Sequence, residues 1–379
     1  SGCVHSKGLR IKGSITMRFI TSFLLIVAAL LAGCATVNPY YDASKKHHRP
    51  DGFNNNYIDN WRPDQPSFLD WQRARWKNGP MPQDPSRVPV VAPDLAYLQA
   101  NRSDVTVTWI GHSTALWQLG GLNILTDPHF TERASPFGFA GPKREVAVPV
   151  QLAALPRIDL VLISHNHYDH LDERTVQMLN RQAGGPPLFV VPLGLDLWMK
   201  DQGITRVHRM DWWESVRVPA ATGEVTIHFV PVQHWSSRSP WDRNSTLWGG
   251  FVAQAQVNQA PYSMFFSGDS GYSKDFADIG AKFGGFDFSQ IAVGCYLPRW
   301  FMKEQHINEQ EAVQIHLDVK SKLSMGVHWG TFRLCDDAID APIDNLPKAR
   351  KKLGVADDAF VLFGLGETRV LKRALQPTN

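Results

Sequence analysis

The chain has 379 residues, and its 39 lysine and arginine residues are nearly balanced by 36 aspartate and glutamate residues, for a net charge of +3. Residues 1–33 hold four of the basic residues and no acidic residue, so the remainder carries a net charge of −1. A body without a basic excess argues against polyanion-binding proteins such as nucleases, and we expect no nucleic-acid partner.

Residues 1–33 are expected to lie outside the mature fold. Met17 begins a segment typical of a bacterial lipoprotein signal, in which the apolar run 19–31 leads into Leu-Ala-Gly-Cys ending at Cys34. Cys34 would be lipidated as the mature N-terminus. The apolar run is shorter than the ~20 residues of a membrane span, which disfavours a transmembrane anchor. We therefore expect a membrane-anchored lipoprotein facing the periplasm, and Ala35 is compatible with the outer membrane.

Residues 34–100 are predicted to form a lipidated tether followed by an arm that packs on the body of the protein, residues 101–379. His47 and His48 have no companion ligands nearby in the sequence, so we expect them to be solvated. A short helix is predicted around Phe68 to Trp76. The tryptophans of the arm either pack in the core, which is favoured, or contact lipid with their basic neighbours; they are Trp61, Trp71 and Trp76.

The body, residues 101–379, is long enough for one large domain. A strand is predicted at Val105 to Trp109, and a hairpin turning at Gly120-Gly121 joins two further strands. A helix is predicted over Asp172 to Gln182. Asn308 is a predicted N-cap, with the acid Glu311 three residues on.

The most informative segment runs from Ser164 to His170. It places His165, His167, Asp169 and His170 directly after the apolar stretch 158–163, which is typical of a buried strand. Histidine and aspartate are ligands of borderline divalent metals such as zinc. Four ligands in one short loop exceed what one tetrahedral ion easily uses, which suggests two ions. The alternative is a polar, histidine-rich surface loop.

Three further candidate ligands follow later strand-like runs. His234 follows 225–232, Asp269 follows 262–266 and His328 follows 323–327. Ligand sites in α/β sheets gather at the carboxyl ends of strands. A single histidine after a strand would be weak evidence, but together these clusters predict one shared metal centre.

These motifs resemble the metallo-β-lactamase superfamily, whose signature is His-x-His-x-Asp-His followed by a distant His, Asp and His. Within it, the chain is most similar to the N-acylphosphatidylethanolamine-hydrolysing phospholipases D, from about Asn101 to Val370. The strings that carry this closer resemblance include Trp109-Ile110-Gly111-His112, Leu125-Thr126-Asp127-Pro128, Asp211-Trp212-Trp213-Glu214, Pro298-Arg299-Trp300-Phe301-Met302-Lys303 and His328-Trp329-Gly330-Thr331-Phe332. The resemblance implies an α/β fold, a four-layer αββα sandwich with two mixed sheets.

The resemblance also implies the composition of the site. Two zinc ions would be held, one by His165, His167 and His234, the other by Asp169, His170 and His328, with Asp269 bridging. His112 and Asp127 would support these ligands. Gln305 and His306 would contact the substrate, and the catalytic residues would be Asp169, Asp269 and His306. The implied reaction hydrolyses the phospholipid N-acylphosphatidylethanolamine to phosphatidic acid and an N-acylethanolamine.

Several alternatives stay open at this stage. The same centre would suit a periplasmic hydrolase of a lactone, a β-lactam or a soluble phosphodiester, or a non-catalytic zinc-binding lipoprotein. Cys295 and Cys335 are expected to be buried free thiols, although a disulfide is possible outside the cytoplasm. Trp212, Trp213 and Trp235 either line an acyl groove or pack in the core. The other histidines of the body are expected to be structural: His129, His208, His228 and His316. The oligomeric state stays open.

Overall fold

The structure, a computed structural model, describes residue 2, residues 37–59 and residues 67–371. The predicted signal segment, Cys34 and Trp61 lie outside these described residues. No helix in the described part of the chain is both long and apolar enough to cross a bilayer.

Two seven-stranded sheets form the body. The first has the order β16-β3-β4-β5-β6-β7-β8, and the second has the order β15-β14-β13-β12-β11-β10-β9. Each is antiparallel in one half and parallel in the other, so both are mixed. The strands of the first sheet are β3 (Thr106–Gly111), β4 (Thr114–Leu119), β5 (Leu122–Thr126), β6 (Leu160–Leu162), β7 (Leu188–Pro192), β8 (Val207–Met210) and β16 (Thr368–Val370). Those of the second are β9 (Ser215–Ala220), β10 (Gly223–Val230), β11 (Gly250–Val257), β12 (Ala260–Phe266), β13 (Phe288–Ala292), β14 (Ser324–Val327) and β15 (Phe360–Leu362).

Helices cover the outer faces of the sheets, and a small hairpin, β1 (His48–Arg49) and β2 (Gly52–Phe53), lies in the arm. The described α-helices are α1 (Phe68–Asn78), α2 (Leu95–Ala100), α3 (Glu173–Asn180), α4 (Leu195–Asp201), α5 (Asp275–Phe283), α6 (Arg299–Met302), α7 (Glu309–Asp318) and α8 (Ala341–Leu353). Short 3-10 turns occupy Pro85–Arg87 and Leu152–Ala154.

The first sheet is buried on both faces. In β6, Leu160 and Leu162 join the core between the sheets, whereas Val161 joins a second core beneath helices α3 and α4. Helices α5 and α7 pack on the second sheet through residues such as Phe276 and Val313. A strand with helices on one face and a sheet on the other is apolar on both faces, which explains the uninterrupted apolar sequence of residues 160–163. The layers confirm the predicted αββα sandwich.

Local sequence signals placed several elements well. The hairpin of β4 and β5 turns at Gly120-Gly121, as predicted. Helix α7 begins with the expected capping box, in which the side chains of Asn308 and Glu311 each bind the other's backbone N–H. Helix α3 runs from Glu173 to Asn180, one residue after the predicted start and two before the predicted end. Asp172 is its N-cap residue, and the Asp172 carboxylate accepts hydrogen bonds from the backbone of Phe130 and Thr131.

The prediction that His47 and His48 are solvated is wrong. Their Nε2 atoms lie 2.7 Å and 2.9 Å from the two carboxylate oxygens of the buried Asp211, and Lys45 Nζ lies 2.5 Å from the same group. His48 is itself buried. The carboxylate that pairs with this stretch comes more than 160 residues later in the chain, so local sequence gave no sign of it.

The two tryptophans of helix α1 have different environments. Trp71 is 6% exposed and stacks on Phe301 with a ring-centroid distance of 5.1 Å, which confirms the packing interpretation for this residue. Trp76 is 91% exposed, so the packing interpretation is wrong there. Helix α1 lies on the surface of the body, so only one of its faces is buried; Trp71 lies on that face and Trp76 does not.

We expect Glu309→Gln to increase stability at alkaline pH. Burial raises the pKa of Glu309 to about 7 from its ordinary 4.5, while Asn345 and Tyr296 hydrogen-bond the carboxyl. The raised pKa means that wild-type stability is fully present below pH 4.5 and decreases as pH rises toward 7. The free energy of unfolding of the variant should therefore match the wild type near pH 4.5 and exceed it by up to about 3 kcal/mol at pH 8. Denaturant titrations across this range measure the difference, and a pH-independent difference would contradict the assignment.

Candidate metal centre

Loops at the carboxyl ends of four strands bring the predicted ligands together. The loop after β6 carries four of them, and the segments after β10, β12 and β14 carry one each. The structure places all seven side chains in one buried cluster: His165, His167, Asp169, His170, His234, Asp269 and His328. Their assignment to particular ions stays a prediction, but their proximity is a finding.

Three imidazoles form the first group. The Nε2 atoms of His165 and His234 lie 2.8 Å and 3.3 Å from Nδ1 of His167. His165 Nδ1 lies 2.8 Å from Ser164 Oγ, and His234 Nδ1 donates to the Gln305 carbonyl at 2.9 Å. The ring protons of His165 and His234 are engaged on their outer nitrogens, so the Nε2 lone pairs of both rings are directed at His167 Nδ1. Such an arrangement is stabilised by a cation.

The second group combines two imidazoles with a carboxylate. Asp169 Oδ2 lies 3.2 Å from His170 Nε2 and 3.3 Å from His328 Nε2. Asp269 Oδ2 is 3.1 Å from each of these nitrogens and 4.0 Å from His234 Nε2 in the first group. Asp269 therefore lies between the groups, where one carboxylate reaches both.

Buried ligand atoms without hydrogen-bond partners test whether the residues suit metal ions. Among the described residues, His170 Nε2, His328 Nε2 and Asp269 Oδ1 are inaccessible to solvent and make no aligned hydrogen bond, although the two nitrogens lie 3.1–3.3 Å from carboxylate oxygens. Leaving such groups unmatched costs roughly 1–3 kcal/mol each. A divalent cation satisfies nitrogen lone pairs and carboxylate oxygens together, so the donor set fits a pair of metal ions.

The pKa shifts describe the same electrostatic field. Burial lowers the pKa of His167 and of His234 to about 3, which keeps both imidazoles neutral and able to ligate. Burial also acts to lower the pKa of His328, but the carboxylates of Asp269 and Asp169 outweigh it and raise that pKa to about 9. The field that favours a proton on His328 also attracts a divalent cation.

A second layer of contacts orients the ligands. Asp127 Oδ2 accepts from His170 Nδ1 at 2.6 Å, and His112 Nε2 donates to Asp169 Oδ2 at 2.8 Å, so both predicted supporting residues lie against ligands. Ser164, which sequence reasoning overlooked, donates its hydroxyl to Asp127 at 2.5 Å. Its signal was its place between the strand and the first histidine.

Backbone strain marks the same region. His112, Asp127 and His328 have φ values of 52°, 33° and 63°, which are uncommon for residues other than glycine. Strained conformations of this kind persist where surrounding structure fixes them, and they cluster at functional sites.

Gln305 and His306 lie at the rim of the cluster. His306 Nδ1 is 3.7 Å from Asp269 Oδ2, and burial lowers the pKa of His306 to about 3. The Gln305 side chain donates to the carbonyl of Phe301 at 3.0 Å, so its hydrogen bond to the site comes from its backbone carbonyl. Side-chain contact of Gln305 with a substrate stays a prediction.

A groove of about 280 Å³ leads from the surface to this rim. Helix α1, the segment around α6 and the loop after His234 line it with Phe68, Trp71, His234, Trp235, Arg243, Phe301, Met302, Glu304, Gln305 and His306. Trp235 therefore lines a groove, whereas Trp212 packs in the core and Trp213 is partly exposed. Its lining combines aromatic residues such as Trp71, Trp235 and Phe301 with polar residues, among which His234 and His306 belong to or adjoin the ligand cluster.

Cys295 and Cys335 form a disulfide beneath one wall of the groove, so the expectation of free thiols is wrong. Cys335 packs with Trp71 and Met302. The bond joins the segment after β13 to the segment after His328, so it links one wall of the groove to the chain segment that follows this candidate ligand.

The remaining histidines stand apart from the seven ligands. His129 is buried beside Asp172 at 3.9 Å, His228 contacts Gln254 at 3.1 Å and His316 contacts Ser324 at 2.8 Å. His208 lies on β8. None of these belongs to the candidate metal groups of the described residues, in agreement with a structural role.

Comparison with known proteins assigns the family. A family model described as a beta-lactamase superfamily domain matches residues 122–329, which is more than half of the chain. The chain belongs to the metallo-β-lactamase superfamily. The chain is 39% identical over 277 residues to N-acyl-phosphatidylethanolamine-hydrolyzing phospholipase D 1 of Caenorhabditis elegans. The match covers 70% of this chain and 76% of that protein.

Two other comparisons agree. The mitochondrial N-acyl-phosphatidylethanolamine-hydrolyzing phospholipase D of Saccharomyces cerevisiae is 34% identical over 264 residues, covering 69% of this chain and 55% of that protein. The crystal structure of isothiocyanate hydrolase from Delia radicum gut bacteria has a TM-score of 0.54 at 18% identity, covering 70% of this chain and 98% of that one. The sequence matches support a metallo-hydrolase, and the structural match shows the shared fold.

We expect Asp127→Asn to weaken metal retention without unfolding the protein. The change removes the negative charge facing His170 Nδ1 and weakens the contacts that orient this ligand. Loss of such an outer partner reduces metal affinity by about 10- to 100-fold. Chelator competition followed by metal analysis measures the effect. Asp104→Asn, an exposed carboxyl that contacts Tyr97, is the control, and equal metal retention in both variants would contradict the prediction.

Proposed function

We propose that the protein is a zinc-dependent phosphodiesterase that hydrolyses N-acylphosphatidylethanolamine to phosphatidic acid and an N-acylethanolamine. The observation that carries this proposal is a groove with aromatic walls beside a cluster of seven candidate metal ligands. Two relatives named for this hydrolysis, at 39% and 34% identity, support it. A groove lined by aromatic and polar residues suits a lipid with a phosphodiester headgroup.

Zinc is the metal proposed, because imidazole and carboxylate ligands without thiolate suit it. A pair of zinc ions would supply a water acidic enough to be hydroxide near neutral pH, together with charge to neutralise a phosphodiester. The proposed ligand set has two carboxylates and five imidazoles whose neutral forms add no charge. It therefore leaves the centre positive toward an anionic substrate.

The residues around the centre would bind and orient the substrate. Trp71 and Phe301 stack in the groove, where an acyl chain would be removed from water. Arg243 lies over the Trp235 ring, 4.6 Å from its centroid, and adds positive charge to the path of the phosphate. The low pKa of His306 keeps its imidazole neutral, which leaves one N–H that would donate to a substrate oxygen and one lone pair that can accept a hydrogen bond.

A membrane surface is the proposed source of the substrate. Beside the groove, helices α1 and α6 expose Phe68, Leu69, Trp76 and Trp300. Arg73 and Lys77 accompany them on α1, and aromatic residues with basic neighbours suit the interface of an anionic bilayer. We further propose a lipid anchor on Cys34 that holds the enzyme at the periplasmic face of the outer membrane, where tethering raises the local concentration of lipid.

Product analysis separates this function from other hydrolase activities. Purified metal-loaded protein should release phosphatidic acid and N-acylethanolamine from vesicles containing N-acylphosphatidylethanolamine, as detected by mass spectrometry. A chromogenic cephalosporin, a lactone and a soluble phosphodiester are incubated in parallel. Faster turnover of any of these would favour a soluble-substrate metallo-hydrolase, and no turnover with full zinc would favour a zinc-binding protein without catalysis.

We expect Asp269→Asn to lower turnover of the lipid by at least about tenfold. The amide keeps the size of the carboxylate but removes the charge that lies between the two ligand groups. Vesicle turnover and metal content are measured together, with circular dichroism to confirm the fold. Asp344→Asn, which alters a surface pair with Arg87, is the control. Wild-type turnover with both zinc ions retained would show that Asp269 does not bridge them.

A double variant, Trp76→Ser with Trp300→Ser, tests the membrane surface. We expect turnover on vesicles to fall about three- to tenfold, because less apolar area enters the lipid interface. Turnover of a soluble short-chain analogue should stay unchanged, since neither residue lines the groove. Phe139→Ser changes an exposed aromatic between β5 and β6 and serves as the control. Equal losses on vesicles and on the soluble analogue would argue against a role in membrane contact.

A further inference from the structure

In the arm, the side chain of Asn55 contacts the backbone of the candidate ligand His234. This buried asparagine donates from Nδ2 to the carbonyl of His234 at 3.0 Å and accepts at Oδ1 from the N–H of His234, also at 3.0 Å. The same Oδ1 accepts from Trp248 Nε1 at 3.0 Å. One planar amide thus pairs with both backbone groups of one residue, as a neighbouring strand would.

His234 needs such a contact because it lies beyond the end of its strand. The ladder of β10 ends at Val230, four residues earlier. The His234 ring is held by its hydrogen bond to the Gln305 carbonyl, while Asn55 holds the backbone from which the ring projects. With both fixed, Nε2 faces His167 Nδ1 at 3.3 Å. If the backbone shifted, the His234 ring could not keep both its hydrogen bond to the Gln305 carbonyl and its position beside His167.

The arm is anchored on both sides of Asn55. Upstream, Asp211 binds Lys45, His47 and His48. Downstream, Asn56 donates from Nδ2 to Asp275 Oδ1 at 2.8 Å. These anchors fix the amide of Asn55 in position before any ligand binds, which limits the entropy that ordering it would cost.

The cluster around Asp211 is an ion-pair contact and not another metal site. His47, His48 and Asp211 have the residue types of a metal site. Among the described residues, however, none of their buried side-chain nitrogen and oxygen atoms lacks a hydrogen-bond partner, and the Lys45 ammonium already binds the carboxylate. The seven-ligand centre differs in having several such orphaned atoms.

We propose that Asn55 is a positioning residue that completes the metal centre by fixing His234, so that metal retention depends on the docked arm. This inference rests on the proposed metal centre and names a residue that supports it. By linkage, an ion bound through His234 also favours the docked arm by the same free energy. The acting group is the Asn55 amide and not the packing of the arm in general.

Asn55→Ala and Asn56→Ala form a matched pair of tests. Both shorten an arm asparagine that hydrogen-bonds the body, but only Asn55 contacts His234. The zinc-loaded variants are exposed to graded chelator, and metal per chain is measured by mass spectrometry. We expect Asn55→Ala to lose one of its two ions at a chelator concentration about 10- to 100-fold below that needed for the wild type. Asn56→Ala should behave like the wild type.

Asn55→Asp provides a second variant of nearly the same shape. Its carboxylate still accepts from the N–H of His234 and from Trp248, but it cannot donate to the His234 carbonyl. The same early loss of one ion is expected, and circular dichroism is used to confirm that the variant keeps the fold. Cobalt substitution gives an independent signal, because the visible spectrum of the His165, His167 and His234 site should change in both Asn55 variants.

The outcomes separate the two proposals. Wild-type protein that binds no divalent metal would overturn the proposed function together with this inference. Wild-type protein with two ions, and Asn55 variants that retain both equally tightly, would overturn the positioning role alone. Equal metal loss in Asn55→Ala and Asn56→Ala would also overturn it, because the effect would then come from general loosening of the arm.

Discussion

Two carboxylates, the buried Asp269 and the half-buried Asp169, face a ring of imidazoles at the carboxyl ends of strands from both sheets. Taking charged groups out of water is costly, and it is tolerated only where compensating charge is close. The sandwich provides the burial, and the convergence of loops provides the imidazoles. The outer hydrogen bonds from Ser164, Asp127 and the Gln305 carbonyl then engage the outer ring nitrogens of the ligands. These hydrogen bonds hold the imidazoles in orientations in which their lone pairs face one another, although the lone pairs repel.

The groove adds a second chemical character to this charged centre. Its lining includes Trp71 stacked on Phe301 as well as the polar His234 and His306 beside the ligand cluster. The disulfide between Cys295 and Cys335 joins one wall of the groove to the segment that follows His328. A molecule with an apolar tail and an anionic headgroup fits this combination, since each part meets an environment of its own polarity.

The sequence was informative where function depends on local order along the chain. All seven candidate ligands were identified because each follows the end of a predicted strand. Strands of a sandwich bring the loops at their carboxyl ends to a common edge. Capping at Asn308 and the turn at Gly120-Gly121 were equally local. Contacts between distant segments were not visible in the same way. The burial of His48 depends on Asp211, and the pairing of Cys295 with Cys335 depends on two loops whose approach only the tertiary structure shows. The contrast between Trp71 and Trp76 likewise depends on which face of α1 meets the body.

The family match covers a shorter part of the chain than the residues that build and support the candidate metal centre. The family match spans residues 122–329, yet His112, which contacts Asp169, precedes it, and Asn55, which brackets His234, lies still further upstream. Strand β16 also returns from beyond the match to close the edge of the first sheet beside β3. A fragment trimmed to the matched region would therefore keep every candidate ligand while losing parts of the scaffold that hold them. In a gene fusion or a truncated homologue, an intact histidine motif would then be an unreliable sign of a competent enzyme.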